Sequence, residues 1–534
     1  VRLLTTVAAL RCYLTKRCSE NKLTVPEELG IDEMASWYQT AVGLVPTMGG
    51  LHQGHLSLIE RARQENSTVI VSIFVNPLQF APHEDYERYP RTLEQDQQLC
   101  TQAGVDAIFA PTPEEMGVPQ KSIQESKVTQ VTPPSAMITG LCGRSRLSHF
   151  QGVATIVTKL LNLVQPDRAY FGQKDGQQLA IIRRLVADLN LPVDIVACPT
   201  VREASGLALS SRNQYLTAQE KEQATALYRG LAQAEAAFKA GIRDKSKLIA
   251  VVQQELAKVS TLFVEYIELV EPTTLMSLET VEEEGMLAIA ARLGSTRLID
   301  NTILSDRQPI IAIDGPAGAG KSTVARQVAA KLGLVYLDTG AMYRAVTWLV
   351  LQQGIAIDDE CAIAQLANQC NIELTPSRDL QSPVRVWVND TDVTQAIRTV
   401  EVTSQVSAIA AQSAVRQALV KKQQNWGKRG GLVAEGRDIG THVFPDAEVK
   451  IFLTASVNER ARRRQQDFKK QGQPEVTLEQ LKRDIAERDW KDSTRKVSPL
   501  QKAADAVEMQ TDGLSVAEVA AQIVNYYQQR LSQL

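Results

Sequence analysis

Cysteine is sparse in this chain and shows no C-x-x-C spacing: the seven are Cys12, Cys18, Cys100, Cys142, Cys198, Cys361 and Cys370. An odd number at irregular intervals excludes a disulfide framework and a zinc ribbon, and fits free thiols in a reducing compartment. Histidine is scarcer, five in 534 residues, and H-E-x-x-H does not occur, which removes a zinc-protease reading. Neither sign of charge dominates, since 58 basic and 61 acidic residues leave a net charge of −3. That argues against a general polyanion-binding role. No run approaches the ~18 apolar residues of a membrane span. The apolar patch Leu3 to Leu14 is broken by Arg11 and has no convincing cleavage site. The expectation is a soluble, cytoplasmic protein without nucleic-acid or membrane partners. A length of 534 residues suits two to four domains with sizeable cores. No Gly/Ser- or Pro-rich tract separates them near residues 301 to 309, so the two halves should join almost end to end.

The most specific signal is Gly315-Pro316-Ala317-Gly318-Ala319-Gly320-Lys321-Ser322-Thr323, which fits G-x-x-x-x-G-K-[ST]. Ile310 to Ile313 before it reads as a buried strand. Val324, Val328 and Leu332 after it recur at helical spacing until Gly333. Strand, glycine loop and helix are what a phosphate cradle requires: backbone N–H groups curl inward, Lys321 reaches the outer phosphates and Ser322 can hold Mg²⁺. The loop marks a nucleoside triphosphate site.

A second cluster lies far upstream. Ala41 to Val45 reads as a buried strand, Pro46 to Gly50 as a turn, and Leu51-His52-Gln53-Gly54-His55 as the opening of a helix. Histidines three apart share one face of a first helical turn, where anions are favoured and imidazoles can donate to phosphate oxygens.

Pro46-Thr47-Met48-Gly49 followed by His52-x-Gly54-His55 resembles the signature of pantothenate synthetases (pantoate–β-alanine ligases) in the nucleotidyltransferase superfamily. Asn76-Pro77-Leu78-Gln79-Phe80, Asp85 to Thr92, Phe171 to Asp175 with Gln178, Pro199 to Glu203, Leu209 to Asn213 and Arg297 to Asn301 continue the likeness in order. The resemblance implies ATP binding by Met48, Gly49, Gly50, Leu51, His52, Gln53, Gly54, His55, Gly172, Gln173, Lys174, Asp175, Val201, Leu209, Ser210, Ser211 and Arg212. His52, His55 and Lys174 would act at the α-phosphate, and Ser210, Ser211 and Arg212 would hold the outer phosphates. Gln79 and Gln178 would orient pantoate; a glutamine offers a donor and an acceptor without adding charge. It also implies a homodimer formed through this half, and a Rossmann-like sheet (about 1–190) with a small α+β subdomain (about 191–304).

The second half resembles bacterial cytidylate kinase in Leu337 to Arg344, Val388 to Arg398, Glu435 to Ala447 and Glu487 to Arg495. The resemblance implies a P-loop nucleoside monophosphate kinase fold over 305–534, with Gly315 to Thr323 on ATP. Thr339, Arg344, Arg416, Arg437, Asp438, Arg488, Asp492 and Arg495 would then bind CMP, and Ser407 would lie near the base. Arginine forks suit an acceptor phosphate, and a carboxylate can accept the exocyclic amine of cytosine. The basic run Arg460, Arg462, Arg463, Arg464, Lys469 and Lys470 is expected to form a mobile lid over ATP. The expectation is one α/β chain with two ATP- and Mg²⁺-using enzymes. Two rivals for the second half are a dephospho-coenzyme A kinase and a non-catalytic nucleotide sensor.

Overall fold

In the computed structural model, the chain divides by contact into two compact units, the first ending at Asp306 and the second beginning at Arg307. The structure describes residues 1–20, 41–81, 84–118, 129–146, 148–375, 384–470, 476–495 and 498–531.

The first unit is built on a six-stranded sheet of order β1-β4-β3-β2-β5-β6, with every pairing parallel. Its strands are β1 (Arg2–Leu4), β2 (Val42–Thr47), β3 (Thr68–Ile73), β4 (Ala107–Phe109), β5 (Arg168–Gly172) and β6 (Asp194–Cys198). Continuous apolar runs such as Val69-Ile70-Val71, all fully buried, are the mark of a parallel sheet covered on both faces. Alternation divides those faces. Leu44, Ile70 and Phe109 pack with Val157 and Leu160 of α2 (His149–Val164), whereas Val45, Val71 and Ile108 pack with Ile59 of α1 (Gln53–Glu65). The strand order reverses between β2 and β5, and an open parallel sheet leaves a crevice at the carboxyl ends of such a pair. Beyond β5 runs α3 (Gly176–Asp188). Because β6 still belongs to this sheet, the sheet extends past the boundary expected near 190.

The remainder of this unit is an antiparallel sheet of β7 (Leu262–Val270), β8 (Glu284–Leu293) and β9 (Thr296–Ser305), backed by α4 (Ala226–Lys239) and α5 (Lys245–Leu256). α4 is preceded by a shorter helix, Ala218–Ala224. They meet at Thr225, whose N–H and hydroxyl both donate to the Glu222 carbonyl and close a tight turn. β9 runs through Ser305, so a boundary drawn at 304 falls inside it.

The second unit is a five-stranded parallel sheet of order β11-β15-β10-β16-β17. β10 (Gln308–Asp314) is central, flanked by β15 (Gly430–Glu435) and β16 (Val449–Thr454), with β11 (Val335–Asp338) and β17 (Val507–Gln510) at the edges. α6 (Lys321–Leu332) and α12 (Val516–Leu531) cover one face through Val324, Val328, Val519 and Ile523. α7 (Thr339–Gln352), α8 (Val400–Ala411) and α9 (Ser413–Gly427) pack in the other core with Ile310, Ala312 and Ala434. α8 and α9 are separated at Gln412, whose extended backbone is tied down by its side-chain amide on the Ile357 carbonyl. A small antiparallel sheet of β12 (Ile372–Thr375), β13 (Arg385–Val388) and β14 (Thr391–Asp392) turns at Asn389 and Asp390. Both have positive φ, 45° and 66°, as a tight hairpin demands. α10 (Val457–Lys470) and α11 (Leu478–Thr494) pair beside the sheet through Ala461, Leu481 and Ile485.

Candidate active sites

At the carboxyl end of β2 the chain turns through Gly49 and Gly50, with φ of 84° and 62°, a conformation that side chains disfavour. The turn is held from below by buried Asp96, which accepts the Gly50 and Leu51 N–H groups at 3.0 and 2.8 Å. His52 is the N-cap of α1 and His55 its third residue, so the pair forms a capping box made of imidazoles. His52 Nδ1 accepts the Gly54 N–H (3.1 Å), and His55 Nδ1 accepts the His52 N–H (3.3 Å). The rings lie 4.1 Å apart, centroid to centroid. Burial and then the Lys174 ammonium lower His52 to about 4; burial, His52 and Lys174 lower His55 to about 3. Both rings are therefore neutral at pH 7. With each Nδ1 serving as acceptor, the proton must sit on Nε2. The sequence placed both histidines inside the helix; the cap position is what fixes their tautomers.

Across the crevice, Lys174 and Asp175 form a single turn after β5, held by Asn301 of β9, whose amide donates to the carbonyls of Gln173 (3.0 Å) and Lys174 (2.8 Å). Leu209 N–H donates to Val201 O at 3.0 Å. Ser210 caps the following turn by accepting the Arg212 N–H, and Ser211 Oγ donates to Gly50 O at 3.2 Å. Arg212 makes a two-pronged pair with Asp85, both contacts 2.9 Å.

A cavity of about 300 Å³ is lined by Met48, His52, Gly54, His55, Gln79, Gly172, Lys174, Asp175, Gln178, Val201, Leu209, Ser210, Ser211 and Arg212. Gly49, Gly50, Leu51, Gln53 and Gln173 are not among its lining residues; Gly49, Gly50 and Leu51 belong to the turn that Asp96 holds. Gln79 donates to Met48 Sδ (2.6 Å) and accepts from Asn76 (3.2 Å).

Arg146 and His149, like Cys142 and Tyr266, line the wall without having been singled out from sequence. Arg146 forks onto Glu84 (2.5 and 2.6 Å) and, with His149 Nδ1 (2.8 Å), meets the Gln79 carbonyl. Burial, reinforced by Arg146, keeps the His149 imidazole neutral by pulling its pKa well down. The scarcity of histidine, five in the chain, was the available signal for His149.

In the second unit, the glycine loop leaves β10 at Gly315, where φ is 145° and a Cβ would lie 2.1 Å from the Leu453 carbonyl. No other residue fits there. Gly318 and Gly320 also have positive φ, 79° and 90°. Lys321 is buried, and its ammonium donates to the Pro316 carbonyl at 2.8 Å, folded back on its own loop. Burial first and Arg437 second lower it to about 7. Asp314, the last residue of β10, is raised to about 6 by burial. Its two oxygens accept the N–H groups of Ile439 (2.8 Å) and Gly440 (2.7 Å).

Those amides directly follow Asp438, which pairs with Arg416 and lies 3.4 Å from Arg495 Nη2. Arg437 pairs with Asp492 at 2.9 Å. Arg416, 1% exposed, also lies over the Tyr343 ring, 5.4 Å from its centroid. Buried N–H groups of Arg416 (Nε), Arg488 (Nε) and Arg495 (Nη2) have no hydrogen-bond acceptor in the protein, and unsatisfied buried guanidinium donors mark a place for an anion. Burial and then Arg437 lower Arg488 to about 10. Arg344 contributes to the same field, acting on Asp338 and Arg488. Thr339 points its hydroxyl at the Glu435 carbonyl (2.6 Å), into the sheet. Ser407 lies half-buried on α8.

The basic run is divided in its contacts. Arg460 donates to Ala317 O (3.2 Å) and pairs with Asp489 of α11 (2.5 Å); Arg463 reaches Ala319 O (3.5 Å) and Thr511. Both are struts beneath the glycine loop in this conformation. Arg464 lies over Phe468, and the side chain of Lys470 falls outside the described residues.

Comparison with known proteins agrees with both halves. The pantoate-beta-alanine ligase family model matches residues 27–303, and the cytidylate kinase model matches 311–529. A bifunctional pantoate ligase/cytidylate kinase from Trichormus variabilis is 85% identical over 533 residues, covering 100% of each chain. One from Acaryochloris marina is 57% identical over 99% of this chain and 98% of its own. The crystal structure of pantothenate synthetase from Thermus thermophilus is 43% identical, covering 57% of this chain and 99% of that chain, with a TM-score of 0.49. With near-complete coverage at 85% identity, and each half matched by its own model, this chain belongs to the bifunctional pantoate ligase/cytidylate kinase family.

Proposed function

We propose that the first half, up to Asp306, condenses pantoate with β-alanine at the expense of ATP, and that the second, from Arg307, phosphorylates CMP and dCMP. The observation that carries the first activity is the pair of neutral, tautomer-locked imidazoles facing Lys174. In adenylation, a pantoate carboxylate oxygen attacks the α-phosphorus and pyrophosphate leaves. Charge builds on the α-phosphoryl oxygens, where preorganised donors are most effective. His52 and His55 would offer Nε2–H, and Lys174 a full charge. Ser210, Ser211 and Arg212 would take the outer phosphates, Arg212 exchanging Asp85 for phosphate. Gln79 and Gln178 would hold pantoate. The β-alanine amine then attacks the acyl carbon, the C–N bond forms, the C–O bond to AMP breaks, and the amine loses its proton.

In the second half, phosphoryl transfer needs positioning and charge neutralisation rather than a covalent intermediate. Lys321 would leave Pro316 O for the β- and γ-phosphates. Arg416, Arg488 and Arg495, with their spare donors, would hold the acceptor phosphate and nucleoside together with Arg437. Asp438 and Asp492 supply carboxylates that favour an amino-bearing base. Mg²⁺ arrives with ATP in both halves. Among the described residues, no three His, Cys, Asp or Glu side chains gather as a metal site. The nucleotide's own oxygens and the Ser322 hydroxyl would supply its ligands, the usual manner for this ion.

The family match favours CMP over dephospho-coenzyme A as acceptor, and turnover over sensing. We further propose a cytoplasmic homodimer formed through the ligase half, which light scattering of the full chain would test. The functional test is an assay with pantoate, β-alanine, CMP and ATP, together and separately. Pantothenate plus AMP, and CDP plus ADP, are expected; ADP formation only with dephospho-coenzyme A would overturn the kinase reading.

A further inference from the structure

Arg297, a cation of the cavity wall, keeps two terminal nitrogens without a strong acceptor. Arg212 is matched by Asp85 and Arg146 by Glu84, each through two contacts. Arg297 of β9 spends its Nε on Glu265 (2.7 Å), but both terminal nitrogens meet only the Cys142 sulfur, each at 3.5 Å. Thiol sulfur is a weak acceptor, so a guanidinium only 12% exposed is left short of strong hydrogen bonds, a costly state for a buried charge. The Tyr266 hydroxyl shares the same sulfur at 3.1 Å.

The backbone builds this spot deliberately. β7 carries a bulge: Val264 pairs with Ala291 and Tyr266 with Ala290, leaving Glu265 as the extra residue. A bulge re-aims the side chains around it. Here it presents Glu265 to both Arg292 and Arg297 while turning Tyr266 to Cys142. Glu268 nearby pairs with Arg144 at 2.6 Å. Glu265 is thus divided between two guanidiniums, and of the charged groups in this cluster only Arg297 reaches the cavity wall. Cys142, Tyr266 and Arg297 all line the cavity that also holds Gln79, Gln178 and His149. Arg146, Arg212 and Arg297 all press on buried His149, which draws the three around one corner of the cavity.

The proposed reaction, on whose reading this rests, brings in an amino acid whose amine reacts and whose carboxylate does not. That carboxylate must be held within the length of a three-carbon chain from the acyl group. We propose that Arg297, assisted by the Tyr266 hydroxyl, is the subsite for the carboxylate of the short ω-amino acid, exchanging the Cys142 sulfur for two carboxylate oxygens. Arg297 would thereby orient the amine towards the adenylate and exclude uncharged amines.

The test compares β-alanine with β-alaninamide, which keeps the amine and lacks the charge, in the full-length protein. Arg297→Met should raise the KM for β-alanine about 100-fold, the scale of a lost buried charge pair, and reduce the preference for β-alanine over the amide at least tenfold. Arg297→Lys keeps the cation and should retain the preference with KM raised about tenfold. Pantoate-dependent exchange of pyrophosphate into ATP precedes the amine, and should change far less than β-alanine KM in both variants. An unchanged β-alanine KM, or equal losses with β-alanine and its amide, overturns the assignment. So does a switch of selectivity produced by Arg146→Met but not by Arg297→Met. Absence of pantoate-dependent exchange in the unaltered protein would instead remove the ligase reading itself.

Discussion

Lys321 gives the sharpest test of the second site, because its burial sets a number. Its folded pKa of about 7 lies below the usual 10.5, so the charged form is lost as pH rises through 7. At pH 8 about one molecule in ten carries the ammonium. An ATP polyphosphate drawn into the glycine loop would restore the charge, so binding at this site should take up about 0.9 proton per nucleotide at pH 8. The measurement is calorimetry of a non-hydrolysable Mg–ATP analogue in several buffers, where the slope of heat against buffer ionisation enthalpy counts protons. Nucleotide binding at the ligase site adds the same slope to any kinase-site variant, so the comparison is with Lys321→Met. That variant should lose the uptake, lose about 10²–10³-fold in CMP phosphorylation, and retain pantothenate formation. Equal slopes in the two proteins would refute the reasoning, since the amine would then be charged before nucleotide arrives or uncharged after.

Three further outcomes are expected. The folded pKa values of His52 and His55 lie below the ordinary value, so kcat/KM for adenylation should stay level through pH 6.5 and fall only below about pH 5. The unfolded chain takes up these protons first, so the ligase half should also lose stability as pH drops from about 6.5 towards 4, and His55→Gln should flatten that loss; an acid limb centred near 6.5 would contradict the burial argument. Asp438→Asn strands Arg416, at 1% exposure, without its close counter-charge and should cost about 3–5 kcal/mol in urea unfolding of the kinase half, whereas a change under ~1 kcal/mol would show the pair to be expendable. Asp96→Ala removes the acceptor of two turn amides, for about 1–3 kcal/mol per stranded group, and should raise the ligase KM for ATP; an unaltered melting transition and KM would speak against it.

Which parts of this were legible beforehand depends on how far apart in sequence the cooperating atoms lie. The glycine loop, the histidine pair and Ser210 to Arg212 read directly because their chemistry is contiguous. The strand β2 and the helix α1 follow from short apolar patterns. Asp96 binds a turn 45 and 46 residues away, Arg202 forks onto Asp300 across 98 residues, and Arg297 meets Cys142 across 155. Nothing in local composition announces such pairings. The bulge at Glu265 is equally silent, because one extra residue in a strand leaves the apolar pattern almost intact. The contacts of the basic run were hidden for a different reason: charge in sequence says nothing of direction, and Arg460 and Arg463 turn inward to carbonyls of the glycine loop.

The placing of Asp314 has a consequence for how the kinase half can vary. The strand that delivers the phosphate loop ends in the carboxylate that grips the two amides after Asp438. On the proposed assignment of Asp438, donor and acceptor recognition share a single hinge pin. A substitution that tilts the loop also tilts the turn bearing Asp438, the acid proposed to read the base, so affinity for ATP and preference among pyrimidines should drift together along a mutational series. A lineage seeking a new acceptor nucleotide would find that route narrow, with altered ATP use as its companion at each step.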